Sequence, residues 1–99
     1  MCFVHVLLNA IDMDSKGMDA KIVIEGEAVK LVKDMEESGN PLYKKAKGKG
    51  LIDCICKACS TKIGVLEFNK TAGIPLASDM NGHPLITSYI YKGYQIITL

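Results

Sequence analysis

The sequence predicts a single three-layer α/β domain built around a mostly parallel sheet. Two short apolar runs, residues 20–25 and 51–56, have the composition of strands that are buried on both faces. Segments with apolar side chains at helical spacing alternate with these runs. Because helices and strands that alternate along a chain form βαβ units, the sheet should be parallel. A length of 99 residues, with 48% hydrophobic and 23% charged residues, fits one globular domain.

The predicted elements begin with a helix over residues 1 to about 16, where apolar side chains recur at helical spacing. The elements after it are a strand at 20–25, helices at about 28–38 and 41–47, a strand at 51–56, a helix at 60–70, a strand at 74–77, a helix that starts at His83 and Pro84, and a strand at 94–99. Folds of this kind normally begin with a strand. The sequence therefore predicts a sheet that apparently lacks its usual first strand, and a late start of the chain is the alternative.

Charge and hydropathy exclude several classes of partner. The net charge is +1 and the isoelectric point is about 7.6, so neither nucleic acid nor an anionic membrane surface is expected as a partner. The first apolar stretch, residues 3–10, is interrupted by His5 and Asn9 and is too short to span a bilayer. It has neither the basic leader nor the cleavage site of a secretory signal, so we expect a cytoplasmic protein.

Three of the four cysteines crowd together at Cys54, Cys56 and Cys59. They lie where a predicted strand gives way to a predicted helix, the edge of a parallel sheet at which ligands bind. Cys54 and Cys56 share one face of the strand by its two-residue repeat, so packing is the expected role of both. Cys59 lies beside the predicted helix start, where the helix dipole favours a thiolate. Cys59 is therefore the candidate nucleophile, and Cys56 is its candidate resolving partner.

Other residues near predicted strand ends and helix starts are candidates to line the same site. They are Cys2, His5, Glu25, Gly26, Lys57, Ser60, Asn81 and His83. For His5 the alternative is a packed or capping histidine, and for His83 it is a helix cap before Pro84. Gly26 lacks a glycine-rich phosphate fingerprint, and the glutamates on either side of it would repel phosphate. No nucleotide is expected.

A metal site is another alternative for the cysteines. Cys2 and His5 lie three residues apart on the predicted opening helix. Together with Cys56, Cys59 or His83, they offer the thiolate and imidazole ligands of tetrahedral zinc. The sequence has no second Cys-x-x-Cys motif and no His-x-x-x-His motif, so we expect neither a metal nor another cofactor.

The segment CKACSTKIGV, residues 56–65, resembles the DsrE/DsrF-like family, with a cysteine pair followed by a glycine and an aliphatic residue. The resemblance also covers the opening MCFVHVLLNAIDM, the segment KIVIEGEA, and NGHP followed by a helix and YQIITL. It implies a flavodoxin-like or Rossmann-like α/β domain that assembles into homo-oligomers in the cytoplasm. In the sulfur-relay members a cysteine after a central strand accepts a persulfide, and Cys59 matches that position.

The expected function is sulfur relay or thiol redox chemistry at Cys59, with sulfur-donor and sulfur-acceptor proteins as partners. The alternative is a non-catalytic binding or assembly module. In that case the cysteines are core residues, and the crevice holds a small ligand or another chain.

Overall fold

The computed structural model describes residues 3–98 of the chain. The elements follow one another as α1 (Phe3–Ser15), β1 (Ile22–Ile24), a 3₁₀ helix (Gly26–Lys30), α2 (Leu31–Ser38), α3 (Pro41–Gly48), β2 (Ile52–Cys56), α4 (Lys57–Ile63), α5 (Leu66–Lys70), β3 (Leu76–Ala77) and α6 (Ile86–Tyr91). Helices thus separate successive strands, as the sequence predicts. The fold is α/β with a parallel sheet, which confirms the predicted class.

Within residues 3–98 the sheet has three parallel strands in the order β1, β2, β3. Ile24 of β1 lies opposite Ile55 of β2, and Cys56 of β2 lies opposite Ala77 of β3. Because β2 is central, its carboxyl end is flanked by both neighbouring strands. That end, at Cys56, is the position where parallel sheets place their binding sites.

The core forms where the sheet meets the helices that connect its strands. Ile55 of β2 and Val32 of α2 are fully buried, as are Leu7 of α1 and Tyr43 of α3. Helix α1 packs against α3, and the 3₁₀ helix packs against α4. Burial of these apolar side chains stabilises the fold and fixes the orientation of β2.

Helix α4 begins at Lys57, three residues earlier than the sequence predicts. Cys56 caps it, so the three residues after the strand are already helical. The predicted helix over 60–70 is also not continuous, because Gly64 adopts a φ of +86° and ends α4. Left-handed glycine is a common helix terminator, and a separate helix, α5, follows.

The predicted helix start at His83 and Pro84 is wrong, because α6 begins at Ile86. His83 instead forms an antiparallel bridge with Met80. The residue before a proline disfavours the α-helical conformation, which agrees with an extended His83.

The predicted strand over residues 94–99 is also wrong for residues 94–98, which form no strand, while Leu99 lies outside the described residues. Tyr94 donates a hydrogen bond to Asp19 at 2.5 Å and packs edge-on against Tyr89. Ile96 and Ile97 stay exposed. A segment of high β propensity forms a strand only when it lies beside a sheet edge, and this one is held by a side chain instead.

Among the helices of residues 3–98, none combines the length and the apolar character needed to cross a bilayer.

Candidate functional site

Cys56 ends strand β2 and caps helix α4. Its Sγ accepts a hydrogen bond from the amide of Cys59 at 3.5 Å, and its carbonyl accepts one from Ser60 Oγ at 2.8 Å. The side chain is fully buried. Strand pairing and helix capping therefore hold both the backbone and the sulfur of Cys56 in place.

Cys59 is the third residue of α4 and is only partly buried. Residues three apart on a helix share a face, so its sulfur lies on the side of α4 that also faces Cys56. The Cys-x-x-Cys pair thus combines one protected sulfur with one that solvent can reach.

His83 is carried by a tight turn that begins at Met80. The amide of each of these two residues donates to the carbonyl of the other at 2.9 Å. Asn81 has a φ of +49° and Gly82 a φ of +87°, the left-handed pair that a type I′ turn requires. The Asn81-Gly82 dipeptide therefore fixes the direction of His83.

This turn packs against the first turn of α4. The amide of Ala58 donates to the carbonyl of Gly82 at 2.7 Å. A Cβ at position 82 would lie 3.0 Å from the Ala58 Cβ, so only glycine allows this approach without a shift. Because Ala58 lies between Cys56 and Cys59, the contact brings the histidine turn directly beside the cysteine pair.

The result is a group of two thiols and one imidazole. Nδ1 of His83 lies 3.2 Å from Cys56 Sγ, and the ligand atoms of Cys56, Cys59 and His83 all lie within 4.8 Å of one another. Burial raises the pKa of the Cys56 thiol, and the hydrogen bond from the Cys59 amide opposes this only in part. Cys56 therefore needs a base to become a nucleophile. In the tautomer protonated at Nε2, His83 Nδ1 is placed to take that proton.

Buried polar residues support the cysteine junction from behind. Asn69 and Ser60 are both fully buried. The Asn69 side-chain amide donates to Ser60 Oγ at 3.0 Å and to the carbonyl of Val29 at 3.1 Å. Ser60 in turn donates to the Cys56 carbonyl. This chain of hydrogen bonds joins α5, α4 and the 3₁₀ helix to the end of β2.

A polar cleft of about 300 Å³ lies beside Cys54, and Lys92 and Asp79 line part of it. Tyr89 donates a hydrogen bond to Asp53 at 2.5 Å, and its oxygen lies 3.4 Å from Cys54 Sγ. Burial is the main reason that the pKa of the Cys54 thiol is raised, and nearby carboxylates raise it further. Cys54 is therefore a protonated, packed thiol, and the predicted packing role agrees with its burial.

Of the candidate residues that the sequence singles out, the structure brings together Cys56, Cys59 and His83. Ser60 supports them from within the core, and Asn81 shapes the histidine turn. In this way five candidate positions converge at one strand end.

Among the candidates within residues 3–98, the remaining ones do not join the cluster of thiols and imidazole. Lys57 is exposed at the first position of α4, and His5 is exposed on α1. Glu25 is exposed after β1, where Gly26 starts the 3₁₀ helix. Cys2 lies outside the described residues.

Sequence reasoning missed Gly82 and Ala58, whose contact assembles the site, and Asn69, which supports it. The Asn81-Gly82 dipeptide was a usable signal, because it is typical of a two-residue turn that pairs the residues on either side. Nothing local marks Ala58 or Asn69, since their partners are distant in sequence.

No protein-family model matches the chain, and no solved structure matches it. The chain is 36% identical over 98 residues to a Methanocaldococcus jannaschii protein described as "Uncharacterized protein MJ0733". The match covers 96% of this chain and 78% of the relative. The chain therefore belongs to the same family as the MJ0733 protein of Methanocaldococcus jannaschii.

Proposed function

We propose that this protein carries sulfur or reducing equivalents on a thiol pair, with Cys59 as the acceptor and Cys56 as the resolving cysteine. The observation that carries the proposal is the distance of 3.2 Å between Cys56 Sγ and His83 Nδ1, with Cys59 in the same cluster. A thiol relay needs an accessible sulfur, a second sulfur within reach and a group that moves protons. These three residues supply all of them.

In the first step, the Cys59 thiolate attacks the outer sulfur of a donor persulfide. The bond from Cys59 Sγ to that sulfur forms, the S–S bond of the donor breaks, and the donor leaves as a thiolate. The partial exposure of Cys59 allows a donor to approach, and its contact with the core shields the product on one side.

The persulfide then has two routes. An acceptor thiolate can attack its outer sulfur and release Cys59, which completes a transfer. Alternatively, Cys56 attacks Cys59 Sγ, the two cysteines form a disulfide and sulfide leaves; the Cys56 proton passes to His83. The second route oxidises two thiols and reduces the sulfane sulfur to sulfide, so the electrons balance.

The resemblance of residues 56–65 to DsrE/DsrF-like proteins supports the same role. We extend the proposal to a cytoplasmic homo-oligomer of that family, which exchanges sulfur with donor and acceptor proteins. Exposed apolar side chains towards the end of the chain support self-association. These side chains are Leu85, Ile90, Tyr91, Ile96 and Ile97.

The test is persulfide loading by a cysteine desulfurase and cysteine, followed by alkylation and peptide mapping. Trypsin cuts after Lys57, so residues 50–57, with Cys54 and Cys56, separate from residues 58–62, with Cys59. We expect a gain of one sulfur, about 32 Da, on the peptide of residues 58–62. Cys59→Ser should remove it, and Cys56→Ser should make it longer-lived because the resolving thiol is gone.

Cys54→Ser is the matched control, since Cys54 is a buried thiol that lies against Tyr89 rather than in the cluster. It should load as the wild-type protein does. Absence of the sulfur adduct on Cys59, or its persistence elsewhere in Cys59→Ser, contradicts the proposal.

The second candidate is a non-catalytic module that binds a small ligand, and the polar cleft beside Tyr89 and Asp53 favours it. In that case Cys59→Ser leaves function in the cell unchanged, while Tyr89→Ala in the cleft abolishes it. Complementation of a deletion strain by each variant separates the two candidates.

A further inference from the structure

We propose that Cys56, Cys59 and His83 form a binding site for one tetrahedral divalent metal ion, for which Zn²⁺ is the best match. The fourth position is left to water or to an incoming thiol. This inference goes beyond thiol transfer and does not depend on it, because metal binding needs only the donor atoms and their positions.

The distances between the donors fit such an ion. With Zn–S near 2.3 Å and Zn–N near 2.05 Å, a tetrahedral site places sulfur and nitrogen about 3.6 Å apart and two sulfurs about 3.8 Å apart. Cys56 Sγ and His83 Nδ1 are already 3.2 Å apart, and all three donors lie within 4.8 Å of one another. Side-chain adjustments of about an ångström therefore complete three corners of a tetrahedron.

The backbone already holds the two halves of the site together. Cys56 and Cys59 occupy the end of β2 and the first turn of α4, and His83 ends the turn that Met80 begins. The hydrogen bond from Ala58 to Gly82 joins these halves at 2.7 Å. The donors are thus already brought together by the fold, so binding requires little further ordering of the chain.

Charge and donor type select the ion. Zn²⁺ with two thiolates and one neutral imidazole has no net charge, so the complex suits a place where Cys56 is fully buried. Binding displaces the two thiol protons to solvent and forms two Zn–S bonds and one Zn–N bond. Sulfur and imidazole donors disfavour Mg²⁺ and Ca²⁺, which prefer oxygen.

The site is also open to solvent on one side. His83 is exposed and Cys59 is partly exposed, while Cys56 closes the opposite side. An ion can enter from solvent, and a position that faces solvent remains for a fourth ligand. Three protein ligands with one open position are the arrangement of catalytic zinc sites, whereas structural sites use four.

The experiment titrates reduced, metal-free full-length protein with Co²⁺ and then with Zn²⁺. We expect one Co²⁺ per chain, a thiolate-to-cobalt charge-transfer absorption, the visible bands of tetrahedral cobalt, and displacement by Zn²⁺. His83→Ala, Cys56→Ser and Cys59→Ser should each weaken binding about a hundredfold or more. Because His83 is exposed, His83→Ala tests the site without a change in the core.

His5→Ala and Cys54→Ser are the controls, and both should bind the ion as the wild-type protein does. A spectrum without thiolate charge transfer, or equal affinity in His83→Ala and the wild-type protein, overturns the inference. Persulfide loading is measured separately in the presence of a chelator. The metal site can therefore fail while sulfur transfer stands, and the reverse can also be observed.

Discussion

The carbonyl of Gly82 lies 2.7 Å from the amide of Ala58 and accepts its hydrogen bond. This contact joins the turn that carries His83 to the helix turn that carries the cysteine pair. Position 82 combines a φ of +87° with a close approach to a neighbouring backbone. The candidate site therefore depends on a residue that has no side chain.

Gly82→Ala should destabilise the protein and disturb the site. The left-handed backbone costs an alanine about 1–2 kcal/mol, and the new Cβ lies 3.0 Å from the Ala58 Cβ. Gly17→Ala is the matched control, because Gly17 has a φ of +79° but open space where its Cβ would be. Urea unfolding should show a larger loss for Gly82→Ala than for Gly17→Ala. Equal losses of unfolding free energy in the two variants would mean that the turn does not pack closely against α4.

Alkylation under native conditions should separate the cysteines by exposure. Cys59 is partly exposed, whereas Cys54 and Cys56 are buried. We expect iodoacetamide to modify residues 58–62 at least about tenfold faster than residues 50–57, since a thiol reacts only where the reagent reaches it. In denaturant the two tryptic peptides should react at similar rates. Faster modification of residues 50–57 in the native protein would contradict the burial of Cys56.

Asn69→Ala should cost about 2–3 kcal/mol of unfolding free energy. The change removes two buried hydrogen bonds, which the Asn69 side chain donates to the Val29 carbonyl and to Ser60 Oγ. Ser60→Ala should cost about 1 kcal/mol, and the double mutant should lose less than the sum because the two residues share a bond. Thr61→Ala is the control: Thr61 is exposed on the same helix, and its loss should stay within about 0.5 kcal/mol. If the losses of unfolding free energy in Asn69→Ala and Ser60→Ala were additive in the double mutant, the two residues would not be energetically coupled.

Glu36 should stabilise the protein in a pH-dependent way. The Lys47 ammonium, 2.7 Å from Glu36 Oε1, together with the Tyr43 hydroxyl, holds the pKa of the carboxyl below its usual value. Because the folded pKa is the lower one, this stabilisation is present above the unfolded pKa of about 4.3 and is lost as the pH falls through the folded pKa. We expect Glu36→Gln to lower the free energy of unfolding by about 1 kcal/mol at pH 7, because solvent screens this partly exposed ion pair and keeps its contribution small.

The measurement for Glu36 is urea unfolding between pH 7 and pH 3. The difference between wild type and Glu36→Gln should shrink as the pH falls below about 4. Glu37→Gln, a change at the exposed neighbour, should cost little at any pH. A constant difference over this range would show that the ionised carboxylate is not the stabilising form.

Tyr89 should show the opposite dependence on pH. Burial and the hydrogen bond to Asp53 raise the pKa of the Tyr89 phenol, so its contribution is complete below the unfolded pKa of about 10 and is lost as the pH rises further. Tyr89→Phe should lower stability at pH 7 by about 1–2 kcal/mol and flatten the loss above pH 10. Tyr91→Phe is the control, because Tyr91 is 89% exposed. Identical profiles for Tyr89→Phe and Tyr91→Phe would refute the role of the Asp53 hydrogen bond.

Hydrophobic pattern alone was sufficient to predict the strands around Ile24 and Ile55 and the helices between them. These elements are long enough, or apolar enough on both faces, for local preference and tertiary packing to agree. The cysteine cluster at the end of β2 could likewise be located from the sequence. Residues 94–98 show the limit of this reasoning, because a strand needs a neighbouring strand that composition does not reveal.

The amino-acid sequence by itself determined the α/β class, the parallel sheet and the position of Cys56 and Cys59 after its central strand. Only the tertiary structure decided that His83 joins them, 27 residues along the chain from Cys56. The physical reason is that hydrophobic periodicity indicates which face of a helix or strand is buried. Whether residues that are distant in sequence come together depends instead on which backbone segments pack closely in the folded chain. Here the approach of Gly82 to Ala58 provides this close packing.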